Sequence, residues 1–177
     1  MKNKLNTIPR AVFVALMVLT ISACSSYERF PGQNKIAENK ARAAEELEKE
    51  IPMLGVGTMC VEHSNVDYIH TYYVQEPFSS NMEGGGNCGK LVAGGYRLPR
   101  KWQQGMKVKV RWNRPIKGKD NWIEKYTTIM PYDTPGILYV HFFENDQVRV
   151  VSSAYDGPSS PDHPISINSI TPPLEVK

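Results

Sequence analysis

Two hydrophobic periods divide the chain. From Asn34 to Glu50 the residues are strong helix formers (KIAENKARAAEELEKE after Asn34), with Ile36, Lys40, Ala43, Ala44, Leu47 and Ile51 along a weak apolar stripe. Pro52 lacks the N–H that a further turn would need, so the helix is expected to stop there, after roughly 25 Å at 1.5 Å per residue. Beyond Pro52 the pattern turns to β-branched and aromatic runs. Gly55–His63 and Val66–Val74 read as strands joined by a tight turn at Ser64-Asn65. Glu76–Gly89, with Pro77 and Gly84-Gly85-Gly86, reads as a loop, and Lys90–Leu98 as a short strand. Met106, Val108, Val110 and Trp112 alternate with Lys107, Lys109 and Arg111, the signature of a half-buried strand with one basic face. Trp122–Met130 follows the polar turn Lys117–Asn121, and Ile137–Phe143 and Gln147–Ser153 flank Glu144-Asn145-Asp146 as a hairpin. The end of the chain is rich in Pro and Ser and reads as extended, with an edge strand at Ile165–Ile170. About six strands after one helix predict a mainly β fold: an antiparallel β-sandwich-like domain preceded by one N-terminal helix.

The first residues have a different character. Lys2, Lys4 and Arg10 precede the apolar run Ala11–Leu19, and no acidic residue occurs before Glu28. The run is too short for a bilayer span, which needs about 20 residues, and has the build of a secretory signal. It exits through Ile21-Ser22-Ala23-Cys24, which resembles the lipobox of bacterial lipoproteins. The resemblance implies a signal peptide over residues 1–23, acylation of the Cys24 thiol (palmitate being a typical chain), and a second acylation on the new amino group. Each buried CH₂ contributes about 0.8 kcal/mol, so several chains make a stable membrane anchor where one does not. Ser25-Ser26, without an Asp, points to the periplasmic face of the outer membrane rather than retention at the inner one. The expected organisation is thus 1–23 signal, 24–52 lipidated tether and helix, and 53–177 a single β-rich domain with a Pro-rich tail.

Assigning the signal changes the charge picture. Three of the 21 basic residues leave with it, so the remaining chain sets 18 basic against 18 acidic residues. That balance gives no basic excess for nucleic acid. It also leaves Cys60 and Cys88 as an even pair in an oxidising compartment, where a disulfide is the favoured outcome and a reactive thiol the alternative.

Candidate chemistry is sparse. Gly84-Gly85-Gly86-Asn87-Cys88-Gly89-Lys90 nearly matches a phosphate loop, but Leu91 stands where the magnesium-binding hydroxyl belongs, and no strand–loop–helix context surrounds it. Of His63, His70, His141 and His163, the first two could approach across the proposed turn, yet no Cys or carboxylate pattern completes a zinc site. His141, in an aromatic strand, reads as a hydrogen-bonded core or face residue. No Gly-x-Ser-x-Gly elbow occurs. The expectation is a protein with no cofactor, no metal and no catalytic residues.

A resemblance gives that expectation a direction. It is carried by Asp67-Tyr68-Ile69-His70, the Gly-rich segment, Leu98-Pro99-Arg100-Lys101-Trp102 through Trp112, Trp122 with Glu124-Lys125, Pro131-Tyr132-Asp133, Leu138–Phe142 and Val148–Val151. Over roughly Val56–Pro164 the chain resembles a family of small proteobacterial lipoproteins found beside lipase effectors of type VI secretion. Gly94-Gly95 stand where that family often carries a Cys pair, so no disulfide scheme is carried over. The resemblance implies an immunity protein that binds and neutralises a cognate phospholipase, similar to the lipoprotein partners of the third type VI lipase family. A structural or assembly lipoprotein of the envelope is the alternative, and an exported enzyme the third reading. A tight inhibitor depends on a few aromatic or Arg anchors and on charged loops. The candidates are Tyr72, Tyr73, Phe78, Glu83, Tyr132, Asp133, Glu144 and Asp146.

Overall fold

The structure, a computed structural model, describes residues 31–64, 66–88 and 91–175. The expected signal and Cys24 lie outside these residues. The chain divides into two units at Ala44/Glu45. Helix α1, Pro31–Glu50, starts three residues earlier than its apolar stripe predicts. Pro31 explains the start, because a first-turn residue needs no N–H partner. Ile36 and Ala43 of the stripe are exposed, and Lys49 pairs with Glu45 one turn back at 3.1 Å. No described helix is long and apolar enough to cross a membrane.

The second unit holds eight strands: β1 (Met53–Glu62), β2 (Thr71–Gln75), β3 (Met82–Gly86), β4 (Ala93–Pro99), β5 (Lys107–Asn113), β6 (Trp122–Thr128), β7 (Ile137–Phe143) and β8 (Gln147–Ser153). They form two four-stranded sheets, ordered β4-β1-β7-β8 (sheet A) and β3-β2-β5-β6 (sheet B). The fold is a mainly β sandwich, as the sequence pattern predicts. Every pairing is antiparallel except β1 with β7, which run parallel with Thr58 opposite Leu138. The core between the sheets joins Tyr72, Val74, Val108, Val110 and Trp112 of sheet B to Leu98, Leu138, Val140, Phe142, Val148 and Val150 of sheet A. Two polar bonds brace the layers: the Tyr96 hydroxyl donates to the Gln75 carbonyl at 2.8 Å, and Trp102 Nε1 donates to the Ile129 carbonyl at 2.9 Å.

Sheet A is covered on both faces. Leu138 to Phe143 are all buried, which is why β7 reads as an unbroken apolar run rather than an alternating one. On its outer face Val61, Tyr139, Phe143 and Val151 form a second cluster capped by Ile165 from the C-terminal segment. Arg149 holds that segment down, with Nε donating to the Pro173 carbonyl at 2.8 Å.

Three sequence expectations are corrected. The run Val66–Val74 is not one strand hairpinned to β1. Residues 66–70 cross from sheet A to sheet B, and the Ile69 N–H is taken by the Glu62 carboxylate at 2.9 Å instead of by a strand partner. Ile165–Ile170 is not an edge strand: Pro164 precedes it, Ser169 N–H closes a turn onto the Ser166 carbonyl, and only Ile165 of its apolar residues is buried. The Gly-rich segment is a strand, not a loop. β3 pairs with β2 through a bulge, with Tyr72 opposite Gly86 and Tyr73 opposite Gly84, leaving Gly85 as the extra residue.

The glycines are required because two tyrosines lie across them. A Cβ on Gly84 would press on the Tyr73 ring at 2.9 Å, and one on Gly85 would overlap Cζ and the hydroxyl of buried Tyr72. Gly85→Ala is therefore expected to cost about 1–3 kcal/mol through overpacking, read as a lowered urea midpoint at pH 7.5. An unchanged midpoint would mean that Tyr72 can swing aside freely.

The β7–β8 hairpin matches its prediction. Asn145 and Asp146 have φ of 57° and 56°, the positive pair that a type I′ turn demands and that Asn and Asp tolerate best after Gly.

Candidate functional site

The strand alternation that buries one face of sheet B exposes the other. From β2 comes Tyr73, from β5 Lys107, Lys109 and Arg111, and from β6 Trp122, Glu124 and Tyr126. Register brings them side by side: Tyr73 faces Arg111, which faces Glu124, and Lys109 faces Tyr126. Tyr126 is 56% exposed, Trp122 38% and Tyr73 37%. Arg111 lies over the Trp122 ring at 4.5 Å, and the Nζ of Lys107 and Lys109 stand 5.2 and 5.8 Å from the centre of the Tyr126 ring. Trp122 and Tyr73 are adjacent, 6.1 Å between ring centres. Glu124 is the counter-charge, but its oxygens reach Arg111 and Lys109 only at 3.6 and 3.8 Å. The alternating cations were legible in the sequence. Trp122 and Tyr126 are not among the interface candidates that the sequence suggests, although their spacing of four in a strand places both on one face.

At one end of this face the segment 76–81 forms a cleft of about 440 Å³ lined by Gln75, Glu76, Phe78, Ser79, Gly105 and Lys107, among others. Buried Glu76 accepts from Asn81 Nδ2 at 3.2 Å, pinning the segment's ends. Phe78 is 48% exposed and holds φ at 59°, a left-handed conformation that bulky side chains rarely adopt.

The candidate interface residues are dispersed. Tyr72 is corrected: it is fully buried between the sheets, because its pairing with Trp112 sets that side of β2 inward. Tyr73 and Phe78 lie on or beside the exposed face of sheet B, and Glu83 sits partly exposed on edge strand β3. Tyr132 packs against the core and donates its hydroxyl to the Pro99 carbonyl at 2.7 Å; burial raises its pKa to about 12, so it remains a donor. Asp133 beside it is exposed. Glu144 and Asp146 meet at the β7–β8 turn, where Arg114 reaches Asp146 at 3.0 Å and Asp67 at 3.7 Å across a second cleft. Asp146 is thus largely occupied within the fold.

Cys60, buried in β1, and Cys88, just after β3, form a disulfide with Cα atoms 4.8 Å apart, inside the range disulfides use. The segment that resembles a phosphate loop is therefore tied across to the other sheet.

The histidines make a constellation that sequence spacing does not show. His63 pairs with His141, not with His70. His63 Nε2 lies 2.9 Å from His141 Nδ1, and His141 Nε2 lies 3.1 Å from His163 Nε2. His163 Nδ1 is 2.7 Å from the Asp156 carbonyl, which can only accept. That last bond assigns the rest: His163 donates from Nδ1, His141 donates from Nε2 to His163, and His63 donates from Nε2 to His141. Each ring is then neutral. Burial lowers all three pKa values. His141, additionally repelled by charge on His63 and His163, falls to about 2. Phe143 stacks on His63 at 3.9 Å and Tyr139 meets His163 edge-on at 4.7 Å. The nitrogens are strung end to end rather than converging, and among the described residues no group of three His, Cys, Asp or Glu is arranged to hold a metal ion.

One outer face of the sandwich is covered by its own C-terminal segment, and the other is open and lined with rings and cations. Residues 61–150, about half of the chain, match the family described as "Protein of unknown function (DUF3304)", and the chain belongs to that family. The matched span holds the exposed face of sheet B, His63 and His141, and ends before the segment that carries His163. No curated protein and no solved structure matches the chain.

Proposed function

We propose that this protein is a lipid-anchored immunity protein that faces the periplasm, with Cys24 as the acylated residue at the outer membrane, and that it binds and neutralises a phospholipase effector of type VI secretion. The observation that carries the binding part is the exposed face of sheet B, where Arg111 lies over Trp122, Trp122 stands beside Tyr73, and Lys107 and Lys109 flank Tyr126 in the open. Arg, Trp and Tyr are the side chains that most often anchor protein interfaces. The identity of the partner rests on the sequence resemblance. Neutralisation then needs no reacting group, only a surface that blocks the lipase cleft or the motion of its lid. Anchoring would raise the inhibitor's concentration where the lipase acts.

Deleting the gene should leave cells open to siblings that deliver the phospholipase, with survival falling by orders of magnitude and returning when the full chain is supplied. Undiminished survival under active attack would refute the reading. An envelope defect without attack would favour an assembly lipoprotein instead.

A further inference from the structure

The rings on sheet B are overlaid by cations that are poorly neutralised within the chain. Among the described residues, the carboxylate that approaches Lys109 and Arg111 on this face is that of Glu124, and it stays beyond hydrogen-bond distance of both. The face therefore carries an excess of positive charge although the chain after Cys24 is balanced. At its end, Lys107 leads into the cleft that Phe78 lines. Phe78 stands third in a turn that the Ser79 N–H closes onto the Glu76 carbonyl at 3.4 Å after Pro77, the place where a left-handed backbone is required, and that turn leaves its ring half exposed beside the cations.

We infer that Phe78, Lys107, Lys109, Arg111, Trp122 and Tyr126 form one docking surface, and that it fits an acidic patch on a protein partner, with an apolar spot to receive Phe78. This rests on the neutralisation reading, and it names the partner chemistry. Charge selects an acidic partner, and the position of Glu124 selects a protein over a lipid surface. A uniformly anionic bilayer would repel Glu124 at the centre of the face. A protein of mixed charge can meet it with one basic group and meet the three cations with carboxylates. Trp122 and Tyr126 lie along the strand with cations against their rings, and Phe78 alone stands on a turn.

The test is binding of the full chain, extracted in detergent, to the purified phospholipase effector encoded beside it, with a Lys107→Glu/Lys109→Glu double variant, Phe78→Ala, and Lys101→Glu as a charge reversal at an exposed site away from the face. The double variant should bind about 100-fold more weakly and associate more slowly, Phe78→Ala about 10-fold more weakly, and Lys101→Glu within a few-fold of the parent. Lys107→Gln/Lys109→Gln, expected to lose about 10-fold, takes its place if the charge reversal unfolds. If the parent binds and the face variants bind equally well, the docking surface is wrong and the neutralisation reading stands. If the parent does not bind the effector, both fall. If the parent instead binds phosphatidylglycerol vesicles and the double variant does not, the face is a membrane contact and the inference is overturned.

Discussion

Acidification from pH 7.5 to pH 5 is expected to lower the unfolding free energy by about 2 kcal/mol through His141 alone, with His63 and His163 adding in the same direction. His141 is fully buried and accepts a proton in the folded state only near pH 2, whereas in the unfolded chain it does so near 6.5. Below pH 6.5 the unfolded state therefore binds more protons than the folded one. The stability is fully present above 6.5 and is lost as pH falls towards the folded value, at about 1.4 kcal/mol per pH unit for each such group. A proton added to the chain of rings has one place to go, His63 Nδ1, where burial opposes it and the nearby backbone of Ser169 and Ile167 favours it. A second proton would set two donors against each other. His141→Leu removes the central ring and leaves His63 Nε2 and His163 Nε2 without partners. At about 1–3 kcal/mol for each of the two orphaned groups, the variant should lose about 2–6 kcal/mol at pH 7.5. Urea unfolding at pH 7.5, 6 and 5 reads both effects. Equal stability of the parent protein at the two extremes would show that the rings are not buried as neutral groups.

The second large effect concerns the Cys60–Cys88 bridge. The bond closes a separation of 28 residues, which the chain-entropy model values at about 3–4 kcal/mol. It joins β1 of sheet A to the segment that follows β3, an edge strand of sheet B weakened by three glycines and a bulge. A Cys60→Ala/Cys88→Ala variant, or the reduced protein, should unfold at a lower temperature by on the order of 10 °C. The loss should centre on β3, read as faster amide exchange at Met82–Gly86 than in β5. A melting point unmoved by reductant, with free thiols confirmed by mass, would remove the bridge from the stability of the fold.

How much of this was legible in the sequence follows from the range of the forces involved. β5 and the β7–β8 hairpin announce themselves locally, through alternation and through Asn145-Asp146. The parity of β2 does not. Tyr72 and Tyr73 are chemically alike, and only the pairing of Tyr72 with Trp112 decides which one is buried. The glycines of β3 look like a loop until two tyrosines are seen to occupy the space their side chains would fill. His63, His141 and His163 lie in three distant segments, and nothing in their spacing encodes the chain they form. The cover on sheet A was hidden for the same reason, since the segment that provides it is held by Arg149, His163 and Ile165 rather than by strand pairing. The exposed face of sheet B was half visible: its cations alternate plainly, but the ring partners come from a strand that could have faced either way.

The parallel pairing of β1 with β7 bears on how the molecule is made. Thr58 finds Leu138 about 80 residues later, and no shorter path completes the centre of sheet A. A chain synthesised from its N-terminus presents β1 long before β7 exists, with one ladder edge open for the whole interval. Pairings of such sequence separation close slowly, because the loop must be ordered before the contacts form. The nascent protein therefore passes through a stage in which its most central strand is also an unprotected edge, the condition under which β-rich chains associate with one another. A chain interrupted before Ile137 would keep that edge open for good.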